Sequence, residues 1–198
     1  MKTIDDFDFK NKKVLFRADL NTVVENNKAK DSERIKAHAK TIKELLKKKA
    51  SVVIIAHQGR PGKKDYLPSM RQHAKLLKKY FDVKYVDDIL GEKAIKAIES
   101  LKPSKALLLS NIRNLKQEFK PGKNKIIKIL APLFDIYVND AFSVSHRKQT
   151  SIVSFPKVLP SCAGRVMEKE INGMKNAHMG KKPITYILAG FKPDDNIK

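Results

Sequence analysis

Ser51-Val52-Val53-Ile54-Ile55-Ala56-His57-Gln58-Gly59-Arg60-Pro61 decides the architecture of this chain. Its first half is a continuous apolar run dominated by β-branched side chains, the pattern of a strand buried on both faces. The run is strand-length and stops abruptly at a polar loop punctuated by glycine and proline. Strands covered on both faces belong to parallel sheets held between two layers of helices.

The flanking sequence repeats the unit. Val14-Leu15-Phe16 reads as a strand, and Asp31 or Ser32 can cap a helix running through Lys49 with Ile35, Ile42, Leu45 and Leu46 as its inner stripe. After the Gly59–Gly62 loop come a helix over Ser69–Tyr80, a strand at Val83–Val86, a helix over Glu92–Leu101 and a strand at Ala106–Leu109. A helix around Asn124–Leu130 precedes the strand Ile136-Tyr137-Val138. The predicted fold class is therefore α/β, a three-layer parallel sheet with helices on both faces. From Leu159 the pattern changes. Cys162 to Ala177 reads as one longer helix, and a further strand, Ile184 to Leu188, ends at Ala189-Gly190-Phe191-Lys192. The expected organisation is a lobe over 1–160, a connecting helix or linker over 161–182 and the start of a second lobe over 183–198.

At 198 residues and 41% hydrophobic composition the chain can bury a substantial core. No apolar run approaches the roughly 18 residues of a membrane span. The first residues carry acids and no apolar signal core, which reads as a cytoplasmic protein. Cys162 stands alone, so no internal disulfide is possible, and no Cys or His grouping has structural-metal spacing. The net charge of +21 is spread over nearly every helix-like segment, while aromatics are only 7% and Trp is absent. Without a stacking motif, that charge reads as a solvated lysine coat, and no specific nucleic-acid partner is expected.

The basic residues themselves are unequal. Only seven of the forty-two are arginine, and Arg17, Arg34, Arg60, Arg113 and Arg147 fall in or beside polar segments that follow strand-like runs. A lysine-rich chain keeps arginine where the planar fork is needed for two-pronged binding of carboxylate or phosphate. Arg71 and Arg165 belong to no such segment and read as surface groups. In parallel α/β sheets, ligands bind beyond the carboxyl ends of the strands. The residues there are Arg17-Ala18-Asp19-Leu20-Asn21, His57-Gln58-Gly59-Arg60, Asn111-Ile112-Arg113 and Asn139-Asp140-Ala141-Phe142 with His146-Arg147. They predict a small, multiply anionic ligand.

These stretches resemble the amino-terminal half of phosphoglycerate kinase. So do Ser32-Glu33-Arg34-Ile35, Val86-Asp87-Asp88, Leu159-Pro160-Ser161 and Ala163-Gly164 leading to Met167-Glu168-Lys169-Glu170, in family order along essentially the whole chain. The resemblance implies a Rossmann-like lobe of a two-lobe glycolytic kinase. Its reaction is phosphoryl transfer between 1,3-bisphosphoglycerate with ADP and 3-phosphoglycerate with ATP, the nucleotide entering with Mg2+ as a substrate complex. By matched position, Asp19 and Asn21 hold the hydroxyl and carboxylate end of the glycerate, and His57, Arg60, Arg113 and Arg147 gather its anionic groups. Arg34 stabilises the transferred phosphoryl, Lys192 contacts nucleotide phosphates, and no residue is assigned to metal. Taken residue by residue, scaffolding roles stay open: Asp19 can pair with Arg17, His57 and His146 can be packed or capping imidazoles, and Asn139-Asp140 can be turn formers.

Departures from the family pattern are local. Thr22-Val23 stand where the proline after Asp-x-Asn is expected, Ser110 replaces an acid, Asn114 replaces an aromatic, and a Gly-Gly-Ala-Lys element reads Ala189-Gly190-Phe191-Lys192. The first three bear on the loops that aim Asn21 and Arg113. Most of the nucleotide lobe is expected to lie in a missing carboxyl-terminal part, so that this chain alone is inactive. Two further readings are a non-catalytic anion-binding relic of the fold and a basic nucleic-acid-associated protein.

Overall fold

The computed structural model describes residues 1–179. The expected strand Ile184–Leu188, the turn at Gly190 and Lys192 lie outside them. Strand β1 (Lys13–Arg17) is central and pairs in parallel with β4 (Ser51–Ile55) on one side and β7 (Ile136–Asn139) on the other. Val14 is level with Val52 and Ile136. Beyond β4 lie β6 (Ala106–Leu108) and then β5 (Val83–Tyr85), and beyond β7 lies β8 (Ser161–Ala163).

All five residues of β4 are buried, as a strand between two helical layers requires. The alternation of side chains across the sheet sends Val14, Phe16, Val52, Ile54 and Val138 into one core. That core is covered by α1 (Glu33–Lys47) and α2 (Arg71–Leu77) through residues such as Ile35, Ile42, Leu45 and Leu77. Leu15, Val53, Ile55, Leu107 and Tyr137 fill the opposite core against α3 (Glu92–Glu99) and α4 (Lys125–Leu130). Each fully buried aliphatic side chain contributes about 1.5–3 kcal/mol, so these two faces are the main source of stability. The three-layer α/β reading holds. Ser32 caps α1 by accepting from the Ile35 amide, and Asn124 caps α4 from the Ile126 and Ile127 amides.

Two expectations are overturned. The helix read from Cys162 starts later. Ser161–Ala163 instead form β8, pairing with Tyr137–Asn139, because β7 would otherwise present an open edge. Helix α6 (Arg165–His178) then begins after Gly164, and its first turn is fixed by Asp140, whose Oδ1 accepts from the Val166 amide at 2.8 Å. A Cβ on Gly164 would fall inside the Asp140 carboxylate, so only glycine fits. Arg165, read as a surface group, bridges Asp5 and Glu44 at 2.6 Å each and Glu168 at 2.9 Å. It ties the amino-terminal turn to α1 and α6, and its bonds to Asp5 and Glu44 raise its pKa further. Arg71 is also engaged, lying over the Tyr85 ring at 5.1 Å.

Local chemistry also built elements that periodicity did not announce. β2 (Val24–Glu25) and β3 (Lys28–Ala29) form a hairpin turned by Asn26 and Asn27, both at positive φ, the requirement of a two-residue hairpin turn. A single turn, α5 (Thr150–Val153), follows the loop after β7.

The buried Asp140 also meets His38 of α1, its Oδ2 lying 2.7 Å from Nδ1. Asp140→Ala is expected to lower stability by about 2–4 kcal/mol, the sum of a lost helix cap and an orphaned buried imidazole donor. Urea unfolding checks this, and the exposed Glu170→Ala is expected to change stability by less than about 0.5 kcal/mol.

Candidate anion-binding site at the switch point of the sheet

From β1 the chain steps to β4 on one side, builds outward to β5 and β6, and then returns to β7 on the other side of β1. Loops leaving β1 and β7 diverge at such a point and leave a crevice above the carboxyl ends of the strands. The crevice is a cavity of about 640 Å³. The seven residues expected to bind the anion, Asp19, Asn21, Arg34, His57, Arg60, Arg113 and Arg147, all line it. They arrive from five segments: the loop after β1, the first turn of α1, and the loops after β4, β6 and β7.

Asp19 is 2% exposed and pairs with Arg34, while the Ser143 hydroxyl donates to the same carboxylate. The Asn21 amide donates to Asp19 Oδ1 at 3.0 Å, and the Gly59 amide donates to Asn21 Oδ1 at 2.8 Å. Burial works to raise the Asp19 carboxyl. The Arg34 guanidinium, the Ser143 hydroxyl and the Asn21 amide outweigh it and hold the pKa at about 2.

Arg17, left open between ligand and scaffold, does not pair with Asp19. It is fully buried below the cavity floor, where Nε donates to Ser151 Oγ at 2.9 Å and Nη2 donates to His57 Nδ1 at 3.0 Å. Ser151 in turn donates its hydroxyl and amide to the buried Glu118 carboxylate, at 2.6 and 2.9 Å. Burial pushes the Glu118 carboxyl up, with Arg17 and Ser151 opposing. Because Arg17 has only donors, His57 Nδ1 must accept, and the imidazole keeps its proton on Nε2. Burial first and the Arg17 charge second push the His57 pKa well down, so the ring is neutral.

Arg113 is 4% exposed and donates through Nη1 to the Gly59 carbonyl at 2.6 Å. Its Nε and Nη2, and Nε of Arg147, are buried with no hydrogen-bond partner among the described residues. Burial and the neighbouring Arg147, Arg17 and Arg60 bring the Arg113 pKa down to about 10. A buried, unpaired donor costs about 1–3 kcal/mol, more when charged, so such donors mark a place for an acceptor from outside.

Three polar lining residues and the apolar Val144 are not singled out by the sequence. Ser143 lay unmarked inside the polar stretch after β7, and Lys63 and Asp65 follow Arg60 on the glycine-bounded loop. His38 was missed too, although its place at the spacing Ile35, His38, Ile42, Leu45 puts it on the buried stripe of α1. It reaches the site indirectly, its Nε2 accepting from the Asp19 amide at 3.3 Å. His146 is exposed and outside the lining. Asn139 acts as a turn former, its Oδ1 accepting from the Ala141 amide, and Asp140 caps α6.

A family model described as Phosphoglycerate kinase matches residues 4–198. The chain belongs to the phosphoglycerate kinase family. It is 49% identical to the phosphoglycerate kinase of Saccharolobus solfataricus, over 99% of this chain and 50% of that protein. With the phosphoglycerate kinase of Methanopyrus kandleri the identity is 43%, over all of this chain and 50% of the relative. The crystal structure of phosphoglycerate kinase from Pyrococcus horikoshii OT3 superposes with a TM-score of 0.88 at 37% identity, covering 92% of this chain and 47% of that one. The chain thus spans about half the length of the phosphoglycerate kinases it matches. Among the described residues, no helix is long and apolar enough to cross a membrane.

The depressed Asp19 carboxyl gives a signed pH dependence. Its folded value of about 2 lies below the ordinary 3.8, so its contribution is full above pH 4 and is lost as pH falls toward 2. Relative to Asp19→Asn, the unmodified chain is expected to be roughly 2 kcal/mol more stable at pH 6 and to converge with it near pH 2. Urea titrations of both proteins between these pH values measure the difference.

Proposed function

We propose that this chain supplies the phosphoglycerate-binding half of a phosphoglycerate kinase. The whole protein would catalyse reversible phosphoryl transfer between 1,3-bisphosphoglycerate with ADP and 3-phosphoglycerate with MgATP. The observation that carries the reading is the set of buried guanidinium donors on Arg113 and Arg147 that have no partner among the described residues, in the cavity that Asp19 and Asn21 also line. A phosphate with a hydroxy-carboxylate tail answers both ends of that cavity.

In this reading Arg60, Arg113 and Arg147, with the Nε2–H of His57, hold the phosphate of 3-phosphoglycerate. Asp19 and Asn21 orient the hydroxyl and carboxylate end. The nucleophile is a carboxylate, ionised near neutral pH, so no general base is required and catalysis reduces to positioning and charge stabilisation. Arg34 suits the second task. Its side chain is 43% exposed at the cavity rim, tethered to Asp19, and can turn toward the equatorial oxygens of a phosphoryl in transit. Lys192, outside the described residues, would meet the nucleotide phosphates. Helix α6 would then lead from this lobe toward a carboxyl-terminal lobe carrying most of the nucleotide site.

Titrating 3-phosphoglycerate into the chain while following backbone amide resonances tests the proposal. Shifts are expected at Asn21, Gly59, Arg113 and Ser143. At a ligand concentration about a hundredfold above Kd, stability is expected to rise by about 2.7 kcal/mol, a Tm increase of about 5–10 °C. Arg113→Met is expected to weaken binding by about 10–100-fold, the loss of charge-assisted bonds to the anion. An unmoved spectrum and an unchanged Tm would rule the site out.

A further inference from the structure

Gln58 is fully buried between two residues of the cavity lining, His57 and Gly59, yet its own side chain does not line the cavity. Its amide spans instead the two loops that do. Oε1 accepts from the Thr22 amide at 2.9 Å and lies 3.0 Å from His73 Nε2. Nε2 donates to the Thr22 carbonyl and to the Asp65 carbonyl, both at 3.0 Å. Only this orientation of the amide places an acceptor opposite the Thr22 N–H and donors opposite the two carbonyls. All four positions of the carboxamide are then used. His73 must offer its Nε2 proton, and burial keeps that imidazole neutral by lowering its pKa to about 4.

Two of the bonds fall on one residue, with a specific consequence. Thr22 follows Asn21 directly, and both its backbone N–H and its C=O are held by one side chain. The Thr22 hydroxyl adds a bond to the Lys30 carbonyl at 2.8 Å, and the Gly59 amide reaches Asn21 Oδ1 itself. The far loop is equally constrained, since at Gly59 a Cβ would meet the Asp65 carbonyl oxygen at 2.5 Å. The Thr22 loop is where the sequence carries Thr22-Val23 in place of a proline. A proline restricts such a segment by fixing φ. Here the restriction comes through hydrogen bonds from the neighbouring strand end.

We propose that Gln58 is a positioning residue, clamping Thr22 and Asp65 so that Asn21 is presented to the hydroxy-carboxylate end of the substrate. This role rests on the phosphoglycerate reading of the site. The clamp bears most directly on the Asn21 end, because at the phosphate end Arg113 and Arg147 come from the loops after β6 and β7, while His57 and Arg60 flank Gln58 on the loop after β4. Loss of the clamp therefore raises the entropy that Asn21 must surrender on binding and bears less on the phosphate end, where Arg113 and Arg147 are held independently of Gln58.

The test compares the chain with Gln58→Met, which keeps the side-chain length and removes all four polar contacts. Affinities for 3-phosphoglycerate and for inorganic phosphate are measured by titration at one pH and salt concentration. The expected result is a loss of about tenfold or more for 3-phosphoglycerate and less than about twofold for inorganic phosphate. Equal losses for both, or no loss for either, in a variant that keeps its circular dichroism spectrum overturn the positioning role and leave the site intact. Failure of the unmodified chain to bind 3-phosphoglycerate overturns the substrate reading and this role with it. A second measurement needs no variant. In the free chain the Thr22 amide is expected to exchange with solvent as slowly as amides of the sheet, although it lies in a loop. Exchange at the rate of an open loop overturns the clamp.

Discussion

Four guanidinium groups and a lysine surround one cleft with few acids to balance them, and the surrounding fold is arranged to withstand their mutual repulsion. Two nearby carboxylates are already committed. Asp19 is shared by Arg34 and Ser143, and Glu118 is occupied by Ser151 beneath the floor. A further cation, Arg17, is set below the cavity and directed at a neutral imidazole. Its charge helps keep His57 unprotonated, so the ring offers a proton to the cavity without adding a further positive charge. The cost of this arrangement is borne by the two hydrophobic faces of the sheet, whose strands are buried on both sides.

A second device keeps the cleft in register with the rest of the molecule. Asp140 holds the start of α6 with one oxygen and His38 of α1 with the other, and His38 accepts from the amide of Asp19. A chain of hydrogen bonds thus runs from the first turn of α6 through α1 to the β1 loop. The two links through His38 are buried, so breaking either leaves a polar group without water to replace its partner.

Much of this was legible in the sequence because the signals were strong and local. A run such as Val52–Ile55 admits few structures, and Ser32 and Asn124 cap the helices they precede. The converging arginines were found because arginine is scarce against a lysine background. What escaped depended on distant partners. Ser161–Ala163 is too short to declare itself a strand until β7 offers an edge, and Arg165 is unremarkable until Asp5 and Glu44 stand beside it. Ser143, Lys63 and Asp65 belong to the cleft by loop geometry alone. Thr22-Val23 in place of a proline bears on the loop that aims Asn21, and only the position of Gln58 supplies what holds it.

Cys162 lies on β8, the edge strand of the sheet, 6% exposed and paired opposite Val138. Burial, with Asp6 and Asp140 nearby, pushes its thiol up to about 12. Thiolate is the reactive form, so the closed protein is nearly inert to thiol reagents. Since the sequence holds one cysteine, its rate of modification counts the moments when the sheet edge parts. The chain carries its own clock for local opening at the very place where the sheet gives way to α6.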